Sequence, residues 1–232
     1  MARKVPKADE SYMDSLNNPR VNKTRGIKYA ILEQVMRDNL YDDMNIIELF
    51  AGAGINTGFV LENCKPRNLY LADISEECVT ELKRKFDHMS NVEIKCTDSF
   101  KDYPDMVNCD FLFLDSAFKF SIIERFKNLF DYLSKLDNNA MKICFTESET
   151  YKFTFLKKEE VQEKRQEHFN KLIKLFSDMG WYTEKLYFCS SNAYLVLTKI
   201  PNGSGGTEFI EYTQGSDKWK KYAYEQKGSD LI

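Results

Sequence analysis

The sequence predicts a doubly wound α/β sheet, seven-stranded and mostly parallel, that ends in an antiparallel hairpin. Three observations predict it. Short apolar runs alternate with amphipathic helical stretches over most of the chain. The first of these runs leads straight into a glycine-rich turn, Ala51-Gly52-Ala53-Gly54. The last two β-rich runs are separated only by Ser190-Ser191-Asn192, too short for a crossover helix, so they must pair antiparallel.

In chain order, Ile27, Ile31, Leu32, Val35 and Met36 recur at helical spacing behind Thr24 as a possible N-cap, predicting a first helix to about Asn39. The run NIIELF reads as a strand, INTGFVLENC as a helix and NLYLAD as a second strand. In SEECVTELKRKF, Ser75 is a natural N-cap, and Cys78, Val79, Leu82 and Phe86 line one face. VEIKCTD and DFLFLD follow as strands, then SIIERFKNLFDYLSKL as a helix with Phe126, Leu129, Phe130 and Leu133 inward, then the strand MKICFTE. A long helix over 157–179 has a highly charged first half, expected to project from the body, and a second half that buries Phe169, Leu172, Ile173 and Phe176. WYTEKLYFCS and NAYLVLTKI form the hairpin. Residues 1–23 read as a basic arm, 24–201 as the domain, and 202–232, opening on NGSGG, as a flexible linker and C-terminal extension.

A chain of 232 residues with 43% hydrophobic, 30% charged and 14% aromatic residues has the composition of a folded domain, not of a disordered one. No apolar run approaches 18 residues, and the basic N-terminus has no apolar stretch behind it, so neither a membrane span nor an export signal is expected. Six single cysteines without a C-x-x-C pair, and only two histidines, predict reduced core thiols, no metal site and a cytoplasmic, reducing location. His88 and His168, in charged helical surroundings, are expected to have structural or surface roles. The net charge of -3 is uneven: residues 1–28 carry seven Lys/Arg against three Asp/Glu, a possible phosphate-binding arm on an acidic body.

The turn after the first strand carries the chemistry. A strand, a glycine-rich turn and a helix N-terminus together bring N–H groups and the helix dipole to a polar ligand, and only glycine lets that ligand approach. Gly52, Gly54 and Gly58 fall there, but Thr57 stands where a dinucleotide-binding fingerprint needs its third glycine. Glu48, at the strand end, would repel a pyrophosphate and suits a ligand with an ammonium group. Asp73 ends the second strand, where a carboxylate can accept from both hydroxyls of a ribose. Asp98, followed by Ser99 and Phe100, ends the third, placing an acceptor for a base amino group beside a ring that covers the base.

The motifs ELFAGAG, YLAD, KCTDSF and DFLFLDSAF, in this order and with the terminal hairpin, resemble the successive motifs of class I, Rossmann-like, S-adenosylmethionine (SAM)-dependent methyltransferases from about Arg25 to Ile200. The resemblance implies SAM as cofactor. It places Glu48, Phe50 and the Ala51 to Gly54 backbone at the methionine part, Asp73 at the ribose, and Asp98, Ser99 and Phe100 with Ile74 at the adenine.

Within that class the pattern looks closest to ribosomal RNA guanine-N2 and other nucleic-acid amino-methyltransferases, which carry (D/N/S)-P-P-(Y/F) after the fourth strand. Here the segment reads Asp115-Ser116-Ala117-Phe118: acceptor and aromatic remain and both prolines are gone, which removes the fixed φ that aims the carbonyl. By the resemblance Asp115 and Phe118 are the catalytic pair, and Arg20, Arg25, Lys28 and Tyr151 would contact a nucleic-acid substrate. Two other readings stand beside it. A ribose 2′-O-methyltransferase would use Lys28, Asp115 and Lys142, but the hairpin lacks the glutamate that completes that set. A SAM-binding, catalytically silent subunit would instead hold a protein partner through the C-terminal extension, with its Trp219, Tyr222 and Tyr224, or through the charged helix.

Overall fold

The computed structural model describes residues 30–118, 123–147, 158–189, 193–200, 206–213 and 218–223. Strands β1 (Asn45–Leu49), β2 (Asn68–Asp73), β3 (Val92–Cys96), β4 (Phe111–Phe118), β5 (Lys142–Glu147), β6 (Tyr182–Phe188), β7 (Ala193–Thr198), β8 (Glu208–Thr213) and β9 (Lys218–Ala223) form one sheet. Its order is β3-β2-β1-β4-β5-β7-β6-β8-β9. β1 to β5 run parallel, and β7 lies antiparallel between β5 and β6. The helices are α1 (30–39), α2 (Ile55–Asn63), α3 (Glu76–Phe86), α4 (Ile123–Ser134) and α5 (Lys158–Asp178).

Strand alternation divides the interior into two layers. Along β4, Phe111 and Phe113 face one core with Ile31, Leu32, Val35 and Met36 of α1, Val60 of α2 and Leu82 of α3. Leu112 and Leu114 face the other, filled by Phe126, Leu129, Phe130 and Leu133 of α4 and by Phe169, Leu172 and Phe176 of α5. A strand covered on both faces reads as a continuous apolar run, as FLFL does. Tyr187 anchors α1 to the sheet: its hydroxyl donates to Asp38 at 2.9 Å and accepts from Asn39 at 3.2 Å.

Four features extend or correct the sequence reading. The seven expected strands are joined by two more, drawn from the segment read as linker and extension. β8 pairs parallel with β6, and β9 antiparallel with β8. They cover the edge that β6 would otherwise expose, and Phe209 and Ile210 are buried in opposite layers. The charged half of α5 does not project throughout: Arg165, its side chain only 13% exposed, lies over the Phe188 ring and 3.7 Å from Glu211 of β8. β4 runs on past the expected DFLFLD to include the whole DSAF segment, with a bulge between Leu114 and Phe118. Without prolines the backbone keeps the donors that pairing needs. Lys142 begins β5, paired with Glu184 at 2.9 Å, at the far end of that strand from Glu147. Five residues of strand, about 16 Å, separate it from the DSAF end, so it cannot join the 2′-O set.

Candidate functional site

The glycine-rich turn joins the C-terminal end of β1 to α2 and is held from three sides. Gly52 N–H donates to Asp73 Oδ2 at 2.8 Å, Ala51 N–H to the Ala72 carbonyl at 2.9 Å, and Lys85 Nζ to the Ala53 carbonyl at 2.7 Å. Phe50, Gly52 and Gly54 all have positive φ, 63°, 56° and 76°. For Phe50 that conformation costs about 1–2 kcal/mol, which the surrounding structure must supply. Gly54 could not be anything larger: a Cβ there would meet Phe86 at 2.6 Å and Leu82 at 2.8 Å. Gly58 differs, lying inside α2 with open space where its Cβ would be, so it is not part of the turn's close approach.

Glu48 is fully buried, and its Oε2 accepts the Thr57 hydroxyl at 2.7 Å. Asp73 closes β2; its Oδ1 takes the Ser75 N–H at 2.8 Å while Oδ2 takes Gly52. A carboxylate has about four acceptor positions, so this one keeps lone pairs for a hydroxyl. Ile74, next along, is 47% exposed, an apolar side chain at the lip of the site.

Asp98 lies beyond β3. Phe100 N–H donates to its Oδ1 at 3.1 Å, and Lys101 Nζ lies 2.8 Å from Oδ2. Burial opposes its charge, but the Lys101 ammonium, the Phe100 N–H and the Arg125 guanidinium outweigh that and hold its carboxyl below the usual carboxylate value. Ser99 is buried, its hydroxyl without a partner among the described residues. The Phe100 ring packs 4.8 Å from Phe50 and edge-on to Phe126 at 5.2 Å. Glu48, Phe50, Ala51, Gly52, Gly54, Asp73, Ile74, Asp98, Ser99 and Phe100 are therefore gathered at the C-terminal ends of β1, β2 and β3. Arg20, Arg25, Lys28 and Tyr151 lie outside the described residues; of Asp115 and Phe118 the backbone alone is described.

Two groups were not singled out by sequence. Glu147, fully buried at the end of β5, has His168 Nε2 of α5 at 3.3 Å from its Oε1 and pairs through its backbone with Phe118. The signal available was the helical spacing of Arg165, His168, Phe169 and Leu172 on one face. Arg125, at the start of α4, lies over Phe100 with its Cζ 4.0 Å from the ring centroid.

Two surface concavities lie at the other end of the sheet, around Asn45 and Asn68, away from these residues. Among the described residues there is no cluster of three or more metal-ligating side chains, and no helix long and apolar enough to cross a membrane. All six cysteines are free, and all but Cys96 are buried.

The mostly parallel sheet with its antiparallel hairpin, flanked by helices, is a Rossmann-like fold that matches the class I SAM-dependent methyltransferase fold of solved structures. The DhpI-SAM-HEP complex superposes with a TM-score of 0.58 at 16% identity, covering 82% of this chain and 92% of that one. A SAM-dependent methyltransferase from Aquifex aeolicus gives 0.55 at 17% identity, covering 84% and 100%. The N-methyltransferase NodS from Bradyrhizobium japonicum WM9 gives 0.56 at 12%, covering 75% and 96%. No family model matches the sequence, and no curated protein matches it significantly. At these identities the likeness is one of fold.

Proposed function

We propose that this protein binds SAM and transfers its methyl group, with a nucleic-acid base amino group as acceptor. The observation that carries the donor half is the joining of the glycine turn to Asp73 beside Asp98. Together these align a backbone cradle, a hydroxyl acceptor and a base-amino acceptor along three successive strand ends. The cradle fits an amino-acid end: α2 has Gly54 at its N-cap, with no side-chain cap on its N-terminus. The DhpI and Aquifex structures, which name SAM, support the same donor.

In this reading Asp73 accepts the ribose hydroxyls, and Asp98 accepts the adenine amino group beside Ile74 and Phe100. Glu48, with the backbone of Ala51 to Gly54, holds the methionine part; buried under the cradle, it also accepts from Thr57, which ties β1 to α2. Bound there, SAM supplies a methyl group on a sulfonium, which needs in-line alignment, exclusion of water and a sink for one proton. Asp115 is the proposed acceptor of the hydrogen bond from the target amine, with Phe118 stacked on the base; Arg20, Arg25, Lys28 and Tyr151 would hold the nucleic acid. The paired, bulged backbone at DSAF favours a second reading, a SAM-binding subunit without catalysis, because no proline fixes the carbonyl there.

Calorimetric titration with SAM tests the donor; absence of binding refutes both readings. Tritiated-methyl transfer to separate pools of RNA, DNA and protein then tests the acceptor. Asp115→Ala is expected to abolish transfer and spare SAM binding, and retained transfer would remove Asp115 from the chemistry.

A further inference from the structure

We infer that Arg125 is a displaceable occupant of the adenine position, resting on the reading of that position given above. Its guanidinium makes, within the chain, the two contacts proposed for the base. It is a planar group lying on Phe100, its Cζ 4.0 Å from the ring centroid, and its Nη2 donates to Asp98 Oδ1 at 3.4 Å. A base and this guanidinium cannot both hold that place.

The neighbours decide which group gives way. The aromatic rings close to Phe100 are held in place: Phe126 is buried in the core, and Phe50 packs against that core with its backbone at φ 63°. Arg125 has a side chain 48% exposed on a long flexible stem, and its hydrogen bond to Asp98 is at the long limit. Arg125 therefore moves. Lys101 stays on the other Asp98 oxygen, so the carboxylate remains charge-balanced when Arg125 leaves.

The occupant and the carboxylate act separately. Every base that stacks on Phe100 must first displace the guanidinium, so Arg125 weakens binding of each nucleoside by the same factor, whereas Asp98 disfavours a base without an N–H donor on that edge because two acceptors would then face each other.

Calorimetric titration of S-adenosylhomocysteine into the full chain, as wild type, Arg125→Ala and Arg125→Lys, tests this. Removing a half-exposed cation–π contact and its ion pair is expected to tighten binding about three- to thirty-fold in Arg125→Ala. Arg125→Lys, which keeps the charge and loses the plane, should fall between. Adenosine and inosine should both bind more tightly to Arg125→Ala, by about the same factor, because either base must displace the guanidinium. Binding by Arg125→Ala alone would support the inference most strongly. Equal affinity in wild type and Arg125→Ala, or weaker binding in the variant, would overturn it while leaving the cofactor reading standing. No binding by any of the three proteins would overturn the cofactor reading itself, and the inference with it.

Discussion

The Thr57 hydroxyl donates to Glu48 Oε2 at 2.7 Å, and both side chains are fully buried beneath the glycine turn. Thr57 stands where a dinucleotide fingerprint has glycine, and this bond is what the substitution supplies: it ties the first turn of α2 to the end of β1. Thr57→Val keeps the shape and removes the donor, leaving a buried carboxyl oxygen short of a partner, and is expected to cost about 1–3 kcal/mol. Thr57→Ser keeps the hydroxyl and should cost less than 1 kcal/mol, about one methyl group. Urea unfolding of the two variants checks the order.

Two glycines of the same segment should respond in opposite directions. Gly54→Ala places a Cβ 2.6 Å from Phe86 at a φ of 76° and should destabilise by about 2 kcal/mol or more, with loss of ligand binding. Gly58→Ala meets nothing within 4 Å inside a helix and should stabilise by roughly 0.5–1 kcal/mol. Thermal denaturation separates them; destabilisation at Gly58 would contradict the open space there.

How far the sequence revealed this arrangement depended on how local the signal was. The glycine turn and Asp73 were legible because strand end, turn and helix start lie within a short stretch, and period-2 and period-3.6 patterns mark each boundary. β8 and β9 were not, because NGSGG reads as a linker, and the pairing of Lys185 with Glu208 joins residues far apart in sequence. Helical spacing sets His168 on the same face of α5 as Phe169 and Leu172, but its meeting with Glu147 depends on α5 folding back over β5, a tertiary fact. Arg125 was hidden similarly: SIIERFKNLF places its neighbour Phe126 in the core but does not say that the arginine lies over Phe100.

Asp98 sets an acid limit. Its carboxyl is held below the ordinary value of 3.8, against the effect of burial, by Lys101, the Phe100 N–H and Arg125. A carboxyl with a depressed folded-state value contributes stability above its unfolded value and loses it as pH falls through the folded one. The difference in melting temperature between wild type and Asp98→Asn should therefore be constant from about pH 8 to 5 and shrink below about pH 4. A difference that instead disappears between pH 5 and 7 would show that another group controls the site.

The β8 strand gives the last prediction, because a tail and a sheet strand differ in what they cost to damage. Phe209 is 5% exposed, its ring centroid 6.3 Å from that of Phe169, inside the layer that α5 covers. Phe209→Ala should lose about 3 kcal/mol, as a buried phenylalanine in a packed core does. A side chain in a solvated extension would lose close to nothing. Arg165 extends the argument: burial pushes its guanidinium below the ordinary arginine value while Glu211 of β8 works against that shift. Glu211→Gln removes the countercharge from a largely buried cation, so it should destabilise although it deletes no volume. A double variant, Arg165→Met with Glu211→Gln, should recover part of the loss, since it leaves no buried charge without its partner. Chemical denaturation of wild type, Glu211→Gln, Arg165→Met and the double variant reads the coupling directly, and additive losses would show that the two charges do not interact.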